Sequence, residues 1–356
     1  MIAVVRASIL GVLLALALGT PVSADPAGPT DYRSEIASIE PPTLTITVEI
    51  IGGDSFLQLE AEPGTEVRVI GYQGEPYLRF LPEGGVLENR NAPTTYTNES
   101  RYGGDEIPAN ASSTAEPDWT LISDGHRWAW HDHRIHWMQR SRPLGASAGD
   151  QILEAVVPLV VDGSGVDVTV ISTWQPAPSP SPMWLGGLAG VALTAGLWLL
   201  RGRAGRLSLL LVPAALALVV GGWQFLSLPS ETAPRVVWWL LPAIAVICAV
   251  VAATAELRGQ VFVARAAAVL VGVELLLWGW MRRDGLTAAI IPTDAPGWLD
   301  RFAVAFAIVG GLGVTVTMLW ELFRPRIGAP RIGTPKIDSS SVAAEPVEAA
   351  SAVPGG

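Results

Sequence analysis

The chain has 356 residues, of which 50% are hydrophobic, and this excess of apolar residues excludes a protein that is soluble throughout its length. Residues 25–182 carry 23 Asp or Glu against nine Arg, a net charge of −14, whereas the whole chain has a net charge of −10. So acidic a segment argues against nucleic acid and anionic lipid headgroups as its partners, because both would repel it.

The N-terminal residues have the pattern of a secretory signal peptide. A positive charge at Arg6 precedes an apolar run over 9–18, and small residues follow at Val22-Ser23-Ala24. An uncleaved signal anchor is the alternative, but the apolar run is short and Pro21 interrupts it. We therefore predict a cleaved signal peptide over residues 1–24 and export of the segment that follows.

Residues 25–175 are predicted to form an extracytoplasmic all-β domain. A flexible lead over 25–40 is followed by about eight short runs with apolar and β-branched residues at alternate positions, separated by turns rich in Gly, Pro and Asp. This regular spacing favours an antiparallel, immunoglobulin-like sandwich. The chain has one cysteine, so the domain depends on its core and not on a disulfide. The clearest runs cover 43–50, 56–61, 66–72, 77–81, 86–89, 152–161 and 166–174.

An all-α membrane domain of about five helices is predicted for residues 183–324, after a proline-rich linker over 176–182. Each of its apolar stretches is near the ~20 residues that a bilayer-spanning helix requires. The tail over 325–356 is rich in Pro, Ala and Ser and is predicted to be disordered. The predicted spans cover about 184–200, 207–226, 236–254, 261–281 and 302–323.

The arginines predict the orientation of the chain in a plasma membrane. With the β-domain outside, five spans place the loops at 201–206 and 256–260 and the tail in the cytoplasm. These segments carry most of the positive charge, as the positive-inside rule expects. Arg282 and Arg283 lie at the outer end of the fourth predicted span and count against this orientation. We predict a multi-pass protein in the lipid bilayer, with its N-terminal domain outside and its C-terminal tail in the cytoplasm.

The histidines of the chain are all found in one segment of eleven residues, interleaved with tryptophans. Read as a strand, this segment places His131 and His133 on one face, about 7 Å apart, where two imidazoles can converge on one ion. His136 and Met138 join them only if a turn intervenes, and His126 only across another turn. Imidazoles with a thioether and no thiolate suit copper best, and zinc second. The candidate metal ligands are His131, His133, His136, Met138 and His126.

The same segment also has a purely structural interpretation. Trp128, Trp130 and Trp137 are suited to the core of a sandwich. Asp132 and Arg134 are suited to an ion pair, so that the histidines would be hydrogen-bonded packing residues. The sequence contains no HExxH or other zinc-hydrolase spacing and no serine or cysteine nucleophile signature. We therefore expect a protein that is not an enzyme.

The segment WHDHRIHWM at 130–138, with YLRF at 77–80 and ENRNAP at 88–93, resembles a group of uncharacterised actinobacterial membrane proteins. Those proteins have an exported β-domain followed by several spans, so the resemblance implies this layout and no particular activity. A looser likeness, in architecture and His/Met content, is to copper-binding β-sandwich proteins of the bacterial envelope. Their N-terminal histidine ligand has no counterpart here, because cleavage after Ala24 would expose Asp25.

Three functions are compatible with these features. The first is a membrane-anchored envelope protein whose outer domain binds a transition metal, copper rather than zinc, for homeostasis or for handover to another envelope or metal-handling membrane protein. The second is an envelope scaffold or interaction protein in which the His/Trp segment is structural core. The third is a small transporter that uses Glu274, because a carboxylate inside a span is costly and marks a functional or paired position.

Overall fold

The computed structural model of the protein describes residues 26–104, 106–139 and 141–324. The predicted signal peptide over 1–24 and the predicted tail over 325–356 lie outside the described residues.

An antiparallel β-domain precedes five long apolar helices, which confirms the predicted class of fold. The strands are β1 (Tyr32–Glu40), β2 (Ile46–Ile51), β3 (Phe56–Ala61), β4 (Val67–Ile70), β5 (Pro76–Phe80), β6 (Val86–Asn89), β7 (Trp119–Ser123), β8 (Arg127–Trp130), β9 (Gln151–Val161) and β10 (Ser164–Trp174). Seven of them form one sheet, in the order β1-β10-β9-β4-β5-β6-β7, and three form a second, in the order β2-β3-β8. A short helix, α1 (Pro93–Thr97), follows β6.

The hydrophobic core of the β-domain is built from residues of both sheets. Strands β9 and β10 form a long hairpin in which every second residue is buried towards its turn, including Val157, Leu159 and Val168. β3 contributes Leu57 and Leu59, which are 1% and 0% exposed, from the smaller sheet. Burial of each such side chain stabilises the fold by roughly 1.5–3 kcal/mol. This burial at alternate positions is the reason the strand pattern could be read from the sequence.

The segment predicted as a flexible lead is, from residue 32, a strand. β1 pairs antiparallel with β10 along nearly its whole length. It has few apolar residues, and its one buried side chain is Ser34, which donates a hydrogen bond to the carbonyl oxygen of Ile135. Pairing with the long β10 stabilises this strand. Backbone pairing of this kind leaves no hydrophobic pattern in the sequence, so the strand could not be predicted from periodicity.

Five helices in the described part of the chain are long and apolar enough to cross a membrane, in agreement with the predicted spans. The chain is therefore a multi-pass membrane protein. The second helix is preceded by a 3₁₀ turn over Arg206–Leu210. The helices are α2 (Ser181–Leu199), α3 (Leu211–Leu226), α4 (Val237–Leu257), α5 (Val261–Met281) and α6 (Gly297–Phe323).

The end of the helical bundle away from the β-domain is held by a network of charges around Glu321. The carboxylate of Glu321 accepts hydrogen bonds from Arg201, Arg206 and Arg265, at distances of 2.5–3.1 Å. Arg206 also contacts Glu256 at 3.3 Å. Because three arginines share one buried carboxylate, this network connects α5 and α6 to the loop between α2 and α3.

The β-domain contacts the opposite end of the bundle directly. Thr30 and Ile290 exchange two backbone hydrogen bonds, of 3.0 and 2.8 Å. The backbone N–H of Ala289 donates to the carboxylate of Asp31 at 3.1 Å. The loop between α5 and α6 therefore packs against the start of β1, and the β-domain is docked on the bundle rather than connected only through the proline-rich linker.

Candidate metal centre

The histidine-rich segment is a strand only at its beginning. β8 ends at Trp130, and a turn follows in which the N–H of Ile135 donates to the carbonyl oxygen of Asp132 at 3.1 Å. His131 and His133 therefore do not share a strand face, and this part of the sequence prediction is wrong. From the sequence, His136 could join the other candidate ligands only if a turn intervened. That turn is present.

Asp132 is the centre of this turn. Its carboxylate accepts hydrogen bonds from the backbone N–H of Arg134 at 3.0 Å, from the Arg134 guanidinium at 2.7 and 2.8 Å, and from Trp130 Nε1 at 3.1 Å. Burial alone would raise the pKa of Asp132, but the guanidinium and these hydrogen bonds outweigh burial and hold that pKa below its ordinary value. The ion pair expected from the sequence is confirmed, although it is formed within a turn.

Tyr72 connects the histidine segment to the loop after α1. Its hydroxyl donates to Asn98 Oδ1 at 2.5 Å and accepts the backbone N–H of His133 at 2.7 Å. The Arg134 guanidinium lies over the Tyr72 ring, 4.9 Å from its centroid. Burial, followed by the charge of Asp132, raises the pKa of Tyr72, so the hydroxyl stays protonated and able to donate.

His133 and His136 are brought together by the turn. Their ring centroids are 5.5 Å apart, and the rings are nearly perpendicular. Nε2 of His133 donates to the carbonyl oxygen of Ser100 at 2.9 Å, and Nδ1 of His136 contacts the carbonyl oxygen of Trp137 at 3.3 Å. A carbonyl oxygen only accepts, so each of these nitrogens carries a proton. When such a ring is neutral, its second nitrogen carries a lone pair.

His136 is the more deeply buried of the pair, at 1% exposure. Burial, followed by the nearby charge of Arg101, lowers the pKa of His136 to about 3, so the ring is neutral at pH 7. Its Nε2 atom is buried and has no hydrogen-bond partner among the described residues. A buried lone pair of this kind is unusual in proteins and is available for a ligand.

His131 has a different environment. Its ring is stacked on Phe56, with centroids 4.2 Å apart, and its Nδ1 donates to the carbonyl oxygen of Ser55 at 2.6 Å. The ring is 2% exposed. These contacts are those of a packing residue that fixes the end of β8 against β3.

The two remaining predicted ligands, His126 and Met138, lie outside the histidine pair. His126 precedes β8 and contacts the turn at Gly84, so the length of that strand, roughly 15 Å, separates it from His131. Met138 follows His136 by two residues and is 37% exposed. Over the described ranges, no group of three or more His, Cys, Asp or Glu side chains is placed to hold a metal ion. The histidine pair is therefore the part of the predicted set that the fold assembles.

Glu274, the candidate of the membrane domain, is buried in α5, roughly two turns from the end of that helix at Met281. Its Oε2 has no hydrogen-bond partner in the described part of the chain. The other buried charged groups of the described helices lie near the bundle ends, at Arg206, Arg282, Asp300, Arg301 and Glu321. The fold therefore places no charged residue at the depth of Glu274 within this described part.

Several contacts of the site were beyond sequence reasoning. Ser55 and Ser100 contribute through their carbonyl oxygens, which every residue has, so no side-chain pattern identifies them. Tyr72 ends the predicted run over 66–72 and Asn98 begins an N-x-S sequon, but neither pattern indicates a contact with the histidine segment. Arg101 was also missed; it forms a 2.7 Å ion pair with the buried Asp54.

The fold and this site define a class of protein: a multi-pass membrane protein whose β-sandwich domain is docked on its helical bundle. No protein-family model, curated protein or solved structure matches the chain at a significant level.

Proposed function

We propose that this protein is a non-enzymatic envelope protein that binds one transition-metal ion through His133 and His136. The observation that supports it is the hydrogen bonding of the two rings. Each ring directs one nitrogen at a main-chain carbonyl and keeps a lone pair on the other, an arrangement typical of metal-bound histidines. Copper is the ion expected from two imidazoles near a thioether, with zinc second. The role that fits is metal homeostasis or handover to another envelope or metal-handling membrane protein.

Some charges near His133 and His136 oppose the binding of a cation, and others favour it. Arg101 opposes it locally, but the Asp54 carboxylate at 2.7 Å balances that guanidinium. The net charge of −14 over residues 25–182 favours cations in the surrounding solution. Met138 is partly exposed and follows the pair, and it is the proposed third ligand.

Replacement of both His133 and His136 by Ala should remove copper binding from the full-length protein in detergent. The wild type should bind about one equivalent in a calorimetric titration, and its melting temperature should rise with metal, because a ligand selective for the folded state stabilises it by mass action. His126→Ala is the matched control, since His126 lies apart from the pair, and it should retain both effects.

Stoichiometric copper binding by the double variant would show that the ligands are elsewhere. A wild type without a metal-dependent rise, together with a double variant that melts at a lower temperature without any metal, would assign both histidines to packing.

A second candidate function, an envelope scaffold or interaction protein, is favoured by His131 and Asp132. Both are buried and fully engaged in contacts that hold β8 and the turn after it. In this proposal the histidine segment gives the outer domain a fixed shape, and a partner would recognise the surface. The two proposals separate in the titration above, because only the first requires a metal.

The proposed topology follows from a cleaved signal peptide and odd parity of the spans. The described helices place the loop after α2 and the end of α6 at the same end of the bundle, through the contacts of Glu321 with Arg201 and Arg206. A reporter fused after Lys336 should be active only in the cytoplasm, and one fused after Ser179 only outside. Cytoplasmic activity of the Ser179 fusion would reverse the orientation, and activity of both fusions on one side would contradict five spans.

A further inference from the structure

A cavity of about 400 Å³ lies between the β-domain and the end of the helical bundle on which it is docked. Its walls are the first residues of β1, the turn between β2 and β3, the loop after α3 and the loop before α6. The volume falls within the range of small-molecule sites in proteins. The cavity is separate from the histidine pair, since neither His133 nor His136 lines it.

Arg301 of α6 gives this cavity a buried positive charge. The residue is 7% exposed, and its Nη2 donates to the carbonyl oxygens of Ala288 and Ala289 at 2.7 and 3.1 Å. The described residues place no carboxylate within ion-pair distance of it, and the neighbouring Asp300 is paired with Arg282. The Nε of Arg301 is buried and has no hydrogen-bond partner in the described ranges. A guanidinium remains charged at neutral pH, and burial without a counter-ion is costly.

Two other features of the wall also favour an anion. Arg33, an exposed residue of β1, lines the same cavity from the side of the β-domain. Gly297, the first residue of α6, lines it from the bundle, and the N-terminal end of a helix carries a partial positive charge. The remaining wall has an apolar part, formed by Ile50, Ile51, Leu228, Ile290 and Ile291, and a polar part, formed by Ser34, Ser227, Thr293 and Asp294. Asp294 is the one carboxylate in this described lining, and it opposes an anion.

We propose that this cavity binds an organic anion, with its carboxylate or phosphate group held by Arg301 and Arg33 and its apolar part against the isoleucines. The net negative charge of the β-domain does not prevent this at short range. Arg301 belongs to the membrane domain, and charges more than about 8–10 Å away are largely screened in physiological salt. The argument from net charge against nucleic acid and anionic lipid headgroups therefore does not extend to this one site.

Octanoate is a suitable first probe, because it combines one carboxylate with a short apolar chain. Calorimetric titration of the full-length protein in neutral detergent should show saturable binding of octanoate and none of octanamide, its uncharged match. Arg33→Gln should weaken the binding about tenfold, the loss expected from one charged partner. Arg301→Gln should abolish it. Arg68→Gln, a change at an exposed arginine of β4 outside the cavity, should have no effect. Titration of octanoate into protein-free detergent measures partition of the probe into micelles.

Outer-leaflet lipid and soluble anions supply the same chemistry, and a second measurement separates them. Native mass spectrometry of protein from phosphatidylglycerol nanodiscs that shows retained lipid in the wild type and not in Arg33→Gln assigns the site to a lipid headgroup. Octanoate binding without such retention assigns it to a soluble anion. Equal binding of octanoate by the wild type and Arg33→Gln, or no saturable binding of octanoate, inorganic phosphate or phosphatidylglycerol, overturns the proposal. If Arg301→Gln does not fold, Arg33→Gln decides alone.

Discussion

Replacement of Gly221 by Ala is expected to destabilise the membrane domain severely. A Cβ atom at Gly221 of α3 would collide with the backbone carbonyl oxygen of Trp238 in α4, and it would also come within 3.2 Å of Trp278 Nε1. A backbone oxygen cannot move away as a side chain does, so the two helices must separate. The separation would also disturb the 2.8 Å hydrogen bond from Trp278 Nε1 to that oxygen. We expect a loss of about 3 kcal/mol or more, at the upper end of the cost of overpacking.

The neighbouring glycine provides a matched control for this prediction. A Cβ atom at Gly222 would have no heavy atom within 4 Å. Gly222→Ala should therefore leave the melting temperature unchanged or raise it slightly, since Ala is the better helix former. Thermal unfolding of the two full-length variants in the same detergent makes the comparison. Equal melting temperatures would show that α3 and α4 do not approach as closely as this packing requires.

The spans were predictable because hydrocarbon selects for length and hydropathy alone, with little dependence on contacts elsewhere in the chain. The largest difference is at the start of α6, which begins at Gly297 although the predicted span begins at 302. Smaller differences occur at α2, which begins at Ser181 inside the predicted linker, and at α3, which begins at Leu211. Asp300 and Arg301 made the first turn of α6 look polar. Asp300 forms an ion pair with Arg282, and Arg301 lines a cavity. Neither of these environments can be read from the local sequence.

Some strands could likewise be predicted from the sequence, and others could not. The boundaries of β3 and β6 agree with the predicted runs, and Leu57, Leu59, Ala61 and Val86 of these strands share one core. β1 was missed, because its stability comes from its pairing with β10. The histidine segment was assigned to a strand because alternation of His and Trp imitates a period of two. The side chain of Asp132 instead closes a turn after Trp130 by accepting the backbone N–H of Arg134, and side-chain hydrogen bonds of this kind compete with strand pairing.

The same turn is the basis of the last prediction. Asp132→Asn should destabilise the β-domain by about 3–5 kcal/mol, the range observed when one partner of a buried ion pair is removed. Asp132 is fully buried, and the Arg134 side chain that would lose its counter-ion is 14% exposed. Simultaneous replacement of Asp132 by Leu and Arg134 by Met should cost less than Asp132→Asn alone, because no buried charge is left uncompensated.

An exposed ion pair of the same domain is the control for this prediction. Glu66 contacts Arg79 at 3.0 Å, and their side chains are 29% and 37% exposed. Glu66→Gln should change the free energy of unfolding by less than about 1 kcal/mol, as is usual for surface pairs. Denaturant unfolding of the full-length protein, followed by tryptophan fluorescence, measures all three variants. If Asp132→Asn is no more destabilising than Glu66→Gln, Asp132 does not stabilise the turn that brings His133 and His136 together, and the structural basis for the histidine pair fails with it.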